Sequence, residues 1–336
     1  MELNVNSLAD FVSQAQILWA KGYMSIEQSA RNSGLFREVP IPMMTGDSKT
    51  FSEIDLEEYA SKKGESEQAD RARVQQGYSK TGYLYRVAKD IGISFEMRSR
   101  GKYPEIIQKL TNLGKLGVNR LDLDLSHRIG FGTATSYTDK DGDVVDLTVG
   151  DTLALFVTNH TLRGSGTTFR NRLANNPQVS PGAIEAMQRM RIDNCYNQLG
   201  ESLSLTDDII WSTNDPNTVR TISEILRSST NVTQNNSGVI NTFAGQYRHV
   251  ILPRVDTTAA GVKDSTKAKI WGTACSEMSS AYLGMHEEPH MKLPPVNGAN
   301  NEEFSTDDFN FGTRGGWMIV IAGAGWISLS TGDGTA

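Results

Sequence analysis

The sequence predicts an α+β protein, and three observations predict it. One long amphipathic helix with marked ends covers residues 102–129. Alternating, strand-like arms precede it, and from 151 to 260 short strands alternate with capped helices in one compact unit. The helix carries an apolar seam at Ile106, Leu110, Leu113, Leu121 and Leu125, spaced by turns of the helix. Pro104 suits its first turn, where a missing N–H costs no bond, and Glu105 sits where the helix dipole favours an acid. His127 and Arg128 occupy the last turn, with Gly130 expected as a left-handed stop. Gly114 and Gly117 each weaken the interior by about 1 kcal/mol relative to Ala. They make sense if another backbone approaches closely there.

Taken in order, residues 7–20 place Leu8, Phe11, Val12, Ala15, Ile17, Leu18 and Trp19 on a broad apolar helical face, with Ser7 as N-cap. Beyond Gly34, Val39, Ile41 and Met43 share one face of a strand. Pro40 and Pro42 remove ladder donors and confine that strand to an edge or an isolated ribbon. Alternation returns at Tyr83, Tyr85 and Val87, then at Ile91, Ile93, Phe95 and Met97. Between these arms, residues 52–73 set seven acids against Lys62, Lys63, Arg71 and Arg73, a solvated tip. Residues 36–98 therefore read as one long two-stranded arm feeding the helix.

After the helix, Asp141-Gly142 marks a hairpin turn. Residues 161–178 read as loop. Ser180-Pro181 and Asp215-Pro216 each open a helix, the second directing Val219, Ile222, Ile225 and Leu226 inward. Strands are expected near 239–243 and 247–253, a crossing between domains at 260–269, and a buried sheet from Lys269 onward with a turn at Arg314 to Gly316.

Composition narrows the function. A chain of 336 residues allows about two domains. Its 38% hydrophobic and 21% charged residues fit a globular protein, and 31 glycines fit a loop-rich one. A formal charge of -6 lacks the basic footprint of a dedicated nucleic-acid binder. Cys195 and Cys275 have no metal or disulfide-framework spacing, and no basic segment followed by a cleavable apolar run opens the chain, which points to an intracellular setting. The longest apolar run, Trp317 to Leu329, is short for a membrane-spanning helix, so no membrane partner is expected.

Candidate chemistry is sparse. His286-Glu287-Glu288-Pro289-His290 matches the H-E-x-x-H zinc pattern and supports an alternative reading as a zinc hydrolase on His286 and His290. That pattern works on a helix, and Pro289 breaks the required turn, so no metal site is expected. Asp139, Asp141 and Asp143 mimic the start of a calcium loop, but the glycine comes too early and Gly150 replaces the bidentate acid. Arg163, Arg170, Arg172, Arg189 and Arg191 form the notable basic cluster, suited to ion pairing with a neighbouring subunit. Nothing brings together a nucleophile, a base and an oxyanion site. The expectation is a structural protein with no catalytic residues and no cofactor.

Further residues carry a family resemblance: Asp151, Leu155-Phe156 and His160; Asn175-Asn176; Ser180 leading a helix through Met187 and Met190; Gly200 and Leu203; and the Asp215-Pro216 helix ending in LRSS. With Gly245, Tyr247 to Pro253, AYLGMHEEP at 281–289 and DDFNFGTRGG at 307–316, the stretch 80–330 resembles the Hong Kong 97 type of bacteriophage major capsid protein, most of all the Mu-like major head subunits. The resemblance implies an N-terminal arm at 1–35, an extended β-ribbon loop at 36–98, a peripheral domain at 99–150 and 262–336 holding the spine helix, and an axial domain at 151–261. It implies self-assembly into hexamers and pentamers of an icosahedral shell around double-stranded DNA in a virion assembled in the host cytoplasm. Separate scaffolding and portal proteins, and decoration proteins in some shells, would be partners, with the packaged DNA near but not specifically bound. An encapsulin-like nanocompartment shell is the alternative within the fold. Inter-subunit contacts are expected at Pro40, Pro42, Lys62, Lys63, Arg71, Arg73, Arg163, Arg170 and Arg172.

Overall fold

The computed structural model of the chain describes residues 8–41, 46–204, 206–228, 240–293 and 308–334. In chain order the elements are α1 (Leu8–Met24), β1 (Arg37–Pro40), β2 (Ser48–Leu56), β3 (Val74–Tyr83), β4 (Tyr85–Ile93), α2 (Phe95–Ser99) and α3 (Tyr103–Gly130). Then come β5 (Ser136–Thr138), β6 (Val144–Asp146), β7 (His160–Thr161), β8 (Thr168–Phe169), α4 (Pro181–Asp193), β9 (Ile209–Ser212) and α5 (Pro216–Arg227). The chain closes with β10 (Arg248–Ile251), β11 (Trp271–Ala274), β12 (Ala281–Lys292) and β13 (Phe309–Ile321). Ser7, Pro42, Met43 and the segment 229–239 lie outside the described residues.

Helix α3 starts and ends within a residue of the sequence expectation, with Pro104 in its first turn and all five seam residues buried. Its end differs in mechanism. Gly130 is the last helical residue and Phe131, the C-cap, has φ −107°, so no left-handed stop forms. Gly130 is small because the Val255 backbone lies against it. Helix α1 docks on the N-terminal half of α3 through Phe11, Val12, Ala15 and Leu18, which share a core with Ile106, Leu110 and Leu113. Ile17, expected on that face, is 55% exposed because the contact is narrower than the apolar stripe. The two helices cross at glycines. A Cβ on Gly114 would strike the Trp19 carbonyl, and one on Gly22 the Thr111 carbonyl.

A four-stranded sheet of order β1-β12-β13-β4 covers the other flank of α3. Strand β1 pairs parallel to β12 at the edge, the place its proline permits. The expected two-stranded arm over 36–98 is therefore narrower: β1 and β4 belong to this sheet, and the ribbon is β2 against β3, residues 48–83. Strand β4 ends at Ile93 because Ser94 caps α2 by accepting from the Met97 amide, which puts Phe95 and Met97 on a short helix instead. No turn forms at Arg314 to Gly316, since β13 runs straight through it. A Cβ on Gly315 would crowd the Trp317 ring, with Pro289 of the irregular partner strand beside it. Those glycines make room inside the sheet.

Within 151–261 a second sheet forms around β9, whose four residues are all buried, and its third strand, β11, comes from outside that stretch. Strand β10 pairs with β9 in parallel and β11 antiparallel. Side chains alternate across a strand. Accordingly Ile209 and Trp211 enter the main core with Leu155 and Phe156, while Ile210 enters a second core with α4 and α5. Both helices start as expected, Ser180 accepting from the Ala183 amide at 3.2 Å and Asp215 from the Thr218 amide at 2.9 Å. Segment 241–243 turns instead of extending, held by the Asn241 side chain, which donates to the carbonyls of Ile225 and Ser228 and accepts from the Phe243 amide. Among the described residues no helix is long and apolar enough to cross a membrane.

Gly114→Ala tests the helix crossing. Overpacking against the Trp19 carbonyl costs about 1–3 kcal/mol, which outweighs the gain of about 1 kcal/mol in helix propensity. Chemical denaturation is expected to show a net loss of stability; a gain would mean that the helices are not held at this distance.

Candidate assembly surfaces

The ribbon is only partly buried, and its two faces differ because side chains alternate along β2. Lys49, Phe51, Glu53 and Asp55 turn inward, while Ser48, Thr50, Ser52, Ile54 and Leu56 turn outward. Inward, Phe51 stacks on Tyr282 with ring centroids 4.2 Å apart and packs beside Ile41, Met318 and Val320. Gly82 on β3 lies so close to Val320 that a Cβ would overlap it. Further out, Asp55 accepts from the Gln198 amide at 2.8 Å, and the Glu58 amide donates to Glu201 at 2.9 Å. Lys80 at the ribbon base donates to Asp146 and Thr148, each at 2.5 Å. The ribbon thus lies on its own body, across both the sheet and the 151–261 unit.

Its outer face is unlike an ordinary polar surface. Ile54 is 65% exposed, and Leu56 and Val74, cross-strand partners, are also exposed. Tyr59 and Tyr83 are also exposed, Tyr83 at the far end of the ribbon beyond the outward Ser52, Thr50 and Ser48. Beyond the apolar strip at Ile54, Leu56 and Val74, residues 58–73 are all exposed.

The contact residues expected from sequence fall into groups. Pro40 is exposed at the sheet edge, and Pro42 lies outside the described residues. Lys62, Lys63 and Arg71 stand exposed on the tip, with Arg73 next to them pairing to Glu57 at 3.2 Å. Arg163 and Arg172 are engaged within the chain. Arg163 donates to the Gly77 carbonyl, tying ribbon to body, and Arg172 donates to Asn176. Arg170 is half-buried, its backbone N–H donating to Asn194. Arg191, read with them as a surface cluster, is buried and pairs with Asp207 at 3.0 Å.

Two cavities flank the ribbon. One of about 790 Å³ lies between its base, β4, α3 and the β5–β6 hairpin. There Arg120 reaches Asp124 at 2.8 Å and Asp139 at 2.6 Å, pinning the hairpin to the helix. The Asp139 carboxylate also accepts from the amides of Asp141 and Asp143, so the apparent calcium loop is a braced turn. The second cavity, about 510 Å³, lies under the distal ribbon and is lined by Glu53, Asp55, Asp151 and His160. His160 is buried, with Nδ1 2.6 Å from Asp151 and Nε2 3.1 Å from the Leu155 carbonyl.

The H-E-x-x-H segment lies on β12, not on a helix, which corrects the zinc-hydrolase alternative. Four residues of strand separate the His286 and His290 backbones by about 13 Å, against one turn on a helix. Pro289 packs on Gly117 of α3, and His290 lies 3.6 Å from Glu287. Among the described residues no group of three or more His, Cys, Asp or Glu side chains is arranged to hold a metal ion. Cys195 and Cys275 are both buried and free. Sequence reasoning missed Glu53 and the apolar strip, since neither has meaning until the ribbon's register against the body is known.

No protein-family model and no curated protein matches the chain. Solved structures similar to it include the virus-like particle from Pyrococcus furiosus, 11% identical over 94% of this chain and 97% of that one, with a TM-score of 0.49. A structure from Gordonia phage Cozz is 12% identical over 90% and 89% of the two chains, at 0.47. The capsid structure of the cyanophage P-SCSP1u is 9% identical over 88% and 85%, also at 0.47.

The two faces of the ribbon make opposite predictions in denaturation of the dissociated chain. Gly82→Ala on the inner face is expected to cost about 1–3 kcal/mol. Leu56→Ser on the outer face should change stability by less than about 0.5 kcal/mol. Equal effects would show that the ribbon does not rest on the body by this face.

Proposed function

We propose that the chain is the major capsid protein of a tailed bacteriophage, with the Hong Kong 97 type of fold. One observation carries the reading: a two-stranded ribbon that docks by one face and presents an exposed apolar strip, Ile54, Leu56 and Val74, together with a fully exposed tip at 58–73. A contiguous apolar surface rimmed by polar residues marks an interaction site. Here the site is held out on an extension whose removal would leave both main cores intact.

In this reading the β2–β3 ribbon, residues 48–83 within the 36–98 stretch, reaches a neighbouring subunit, and the segment 1–35 is the N-terminal arm. Residues 99–150 and 262–336 form the peripheral domain around α3, with 151–261 as the axial domain. Lys62, Lys63, Arg71 and Arg73 on the tip, and Pro40 at the open sheet edge, meet adjacent subunits. Arg163, exposed although it also donates to the Gly77 carbonyl, and the half-buried Arg170 and Arg172 would add contacts from the 161–178 segment. Each contact needs only modest area, at about 25 cal/mol per Å² of apolar surface buried, because a shell repeats it many times. Hexamers and pentamers closing into an icosahedron would enclose double-stranded DNA, and the net charge of -6 keeps the container from condensing on that cargo. Scaffolding and portal proteins would be supplied separately, and the product would be a virion formed in the host cytoplasm. The sequence similarities at Asp151, Leu155-Phe156, His160 and Asn175-Asn176 favour the Mu-like head subunits within the group. Leu155 and Phe156 are buried in the main core, and Asn175 and Asn176 take positive φ in a tight turn, so these residues support the fold.

The test removes the tip and keeps the ladder. Residues 57–73 are replaced by Asn-Gly, a dipeptide that closes a two-residue hairpin between the paired Leu56 and Val74. The variant is expected to melt like the wild-type chain but to sediment as free subunits or small oligomers under conditions where the wild type forms closed shells. Normal shells from the deletion would overturn the role of the ribbon tip.

A further inference from the structure

The carboxylate of Glu53 enters the body beside that of Asp55, and both accept from Gln198. Glu53 points inward from the middle of β2 against the backbone of Gly323, where a Cβ would collide with Oε1. Gln198 donates to Oε2 at 3.0 Å, and Ser280 stands beside it. Among the described residues no basic nitrogen lies within the 4.0 Å ion-pair distance of this carboxylate. The charged and titratable groups around it are mostly acidic or occupied. Asp55 faces it from its own strand, and Asp151 faces it from the body with His160 bound behind. Arg37 and Glu277 line the same cavity, the Arg37 guanidinium donating to the Glu277 carbonyl, and Tyr78 and Cys195 complete the wall.

We propose that Glu53 is a protonation-controlled latch: neutral, it holds the β2–β3 ribbon on the chain's own body, and ionised, it lets the ribbon lift away. The socket is shaped for a carboxyl group and offers it neutral donors and no cation. A charged carboxylate there loses its water and faces two other acids. Burial first, then the charges of Asp55 and Asp151, push Glu53 from the ordinary 4.5 up to about 7. The sign follows from linkage. A group that binds its proton more tightly when docked favours docking fully below the free value and loses that contribution as pH rises. Docking therefore weakens between about pH 4.5 and 7 and levels off above. The separation between those values corresponds to as much as about a 300-fold fall in the docking constant. Docking leaves the outer face of the ribbon free and covers the inner one, so the latch would set when the inner face and the reach of the extension become available, a consequence that rests on the proposed function. The latch belongs to the single chain, and its test reads no assembly.

Hydrogen exchange of the full-length, dissociated chain supplies the test, with protection corrected for intrinsic exchange at each pH. The amides of Gln198 and Glu58 report docking, because each donates to an acceptor across the ribbon–body contact. Amides of the β9 ladder report the integrity of the body. Between pH 5 and pH 8 the wild type is expected to lose at least tenfold protection at Gln198 and Glu58 with β9 unchanged. Glu53→Gln, neutral throughout, should lose less than threefold. A second variant guards against misfolding: Asp55→Asn keeps an oxygen for the Gln198 amide but removes a facing charge, and should shrink the wild-type fall. A flat wild-type profile, the same slope in Glu53→Gln, or an unchanged fall in Asp55→Asn would each overturn the latch.

Discussion

Two carboxylates buried on the spine helix hold together pieces of chain that are remote in sequence. Asp124 accepts from the Tyr85 hydroxyl at 2.9 Å and from the Trp317 indole at 3.2 Å, and lies 2.8 Å from Arg120. Two residues earlier, Asp122 accepts from the Ala30 amide at 2.9 Å and from Arg254 at 2.8 Å. Both acids are almost wholly buried. A buried carboxylate left without partners is strongly destabilising, with about 3–5 kcal/mol lost when one member of a buried pair is removed. The helix can bury these positions only when residues 30, 85, 254 and 317 all arrive. That requirement joins β4, β13, the segment after α1 and the segment after β10 at one place.

Burial explains why the rest of the helix end is arranged as it is. From Leu121 to His127 every residue is buried, so this half of α3 has no solvent face. His127 follows the same rule: Thr257 donates its hydroxyl proton to the Arg254 carbonyl, so its oxygen accepts from His127 Nε2 at 2.9 Å. Burial pushes the His127 imidazole down to about 4. The ribbon obeys the opposite logic. It is fixed to a well-packed body by one stack of rings, close backbone approach at Gly82 and a few hydrogen bonds, and its outward surface is left apolar. A rigid spine with a lightly attached extension is the arrangement expected of a subunit that must keep its shape while exchanging its contacts.

Much of this was legible in the sequence where local chemistry decides. The bounds of α3, the caps at Ser180 and Asp215, the Asp141-Gly142 turn and the edge position of Pro40 all follow from side chains acting on their own backbone. Failures came where a distant neighbour decides, or where a cap interrupts an alternating pattern. Periodicity marked Leu121 and Leu125 as the seam but said nothing of Asp122 and Asp124, whose partners Ala30, Tyr85, Arg254 and Trp317 are remote in sequence. Gly315 and Gly316 looked like a turn, whereas both lie within β13 and Gly315 makes room for the Trp317 ring beside Pro289. Phe95 and Met97 continued an alternation that Ser94 interrupts. Of the expected contact residues, those on the ribbon tip stand exposed, while Arg163 and Arg172 are bound to their own chain, an outcome that no spacing announces.

The central claim is that this single chain carries the surfaces needed to close a shell around its spine helix. Electron microscopy of the purified, unmodified protein tests it most directly, across a range of salt and protein concentrations. The account predicts capsomers and closed, icosahedral particles built from the 36.9 kDa chain. A monodisperse monomer under every condition would contradict it.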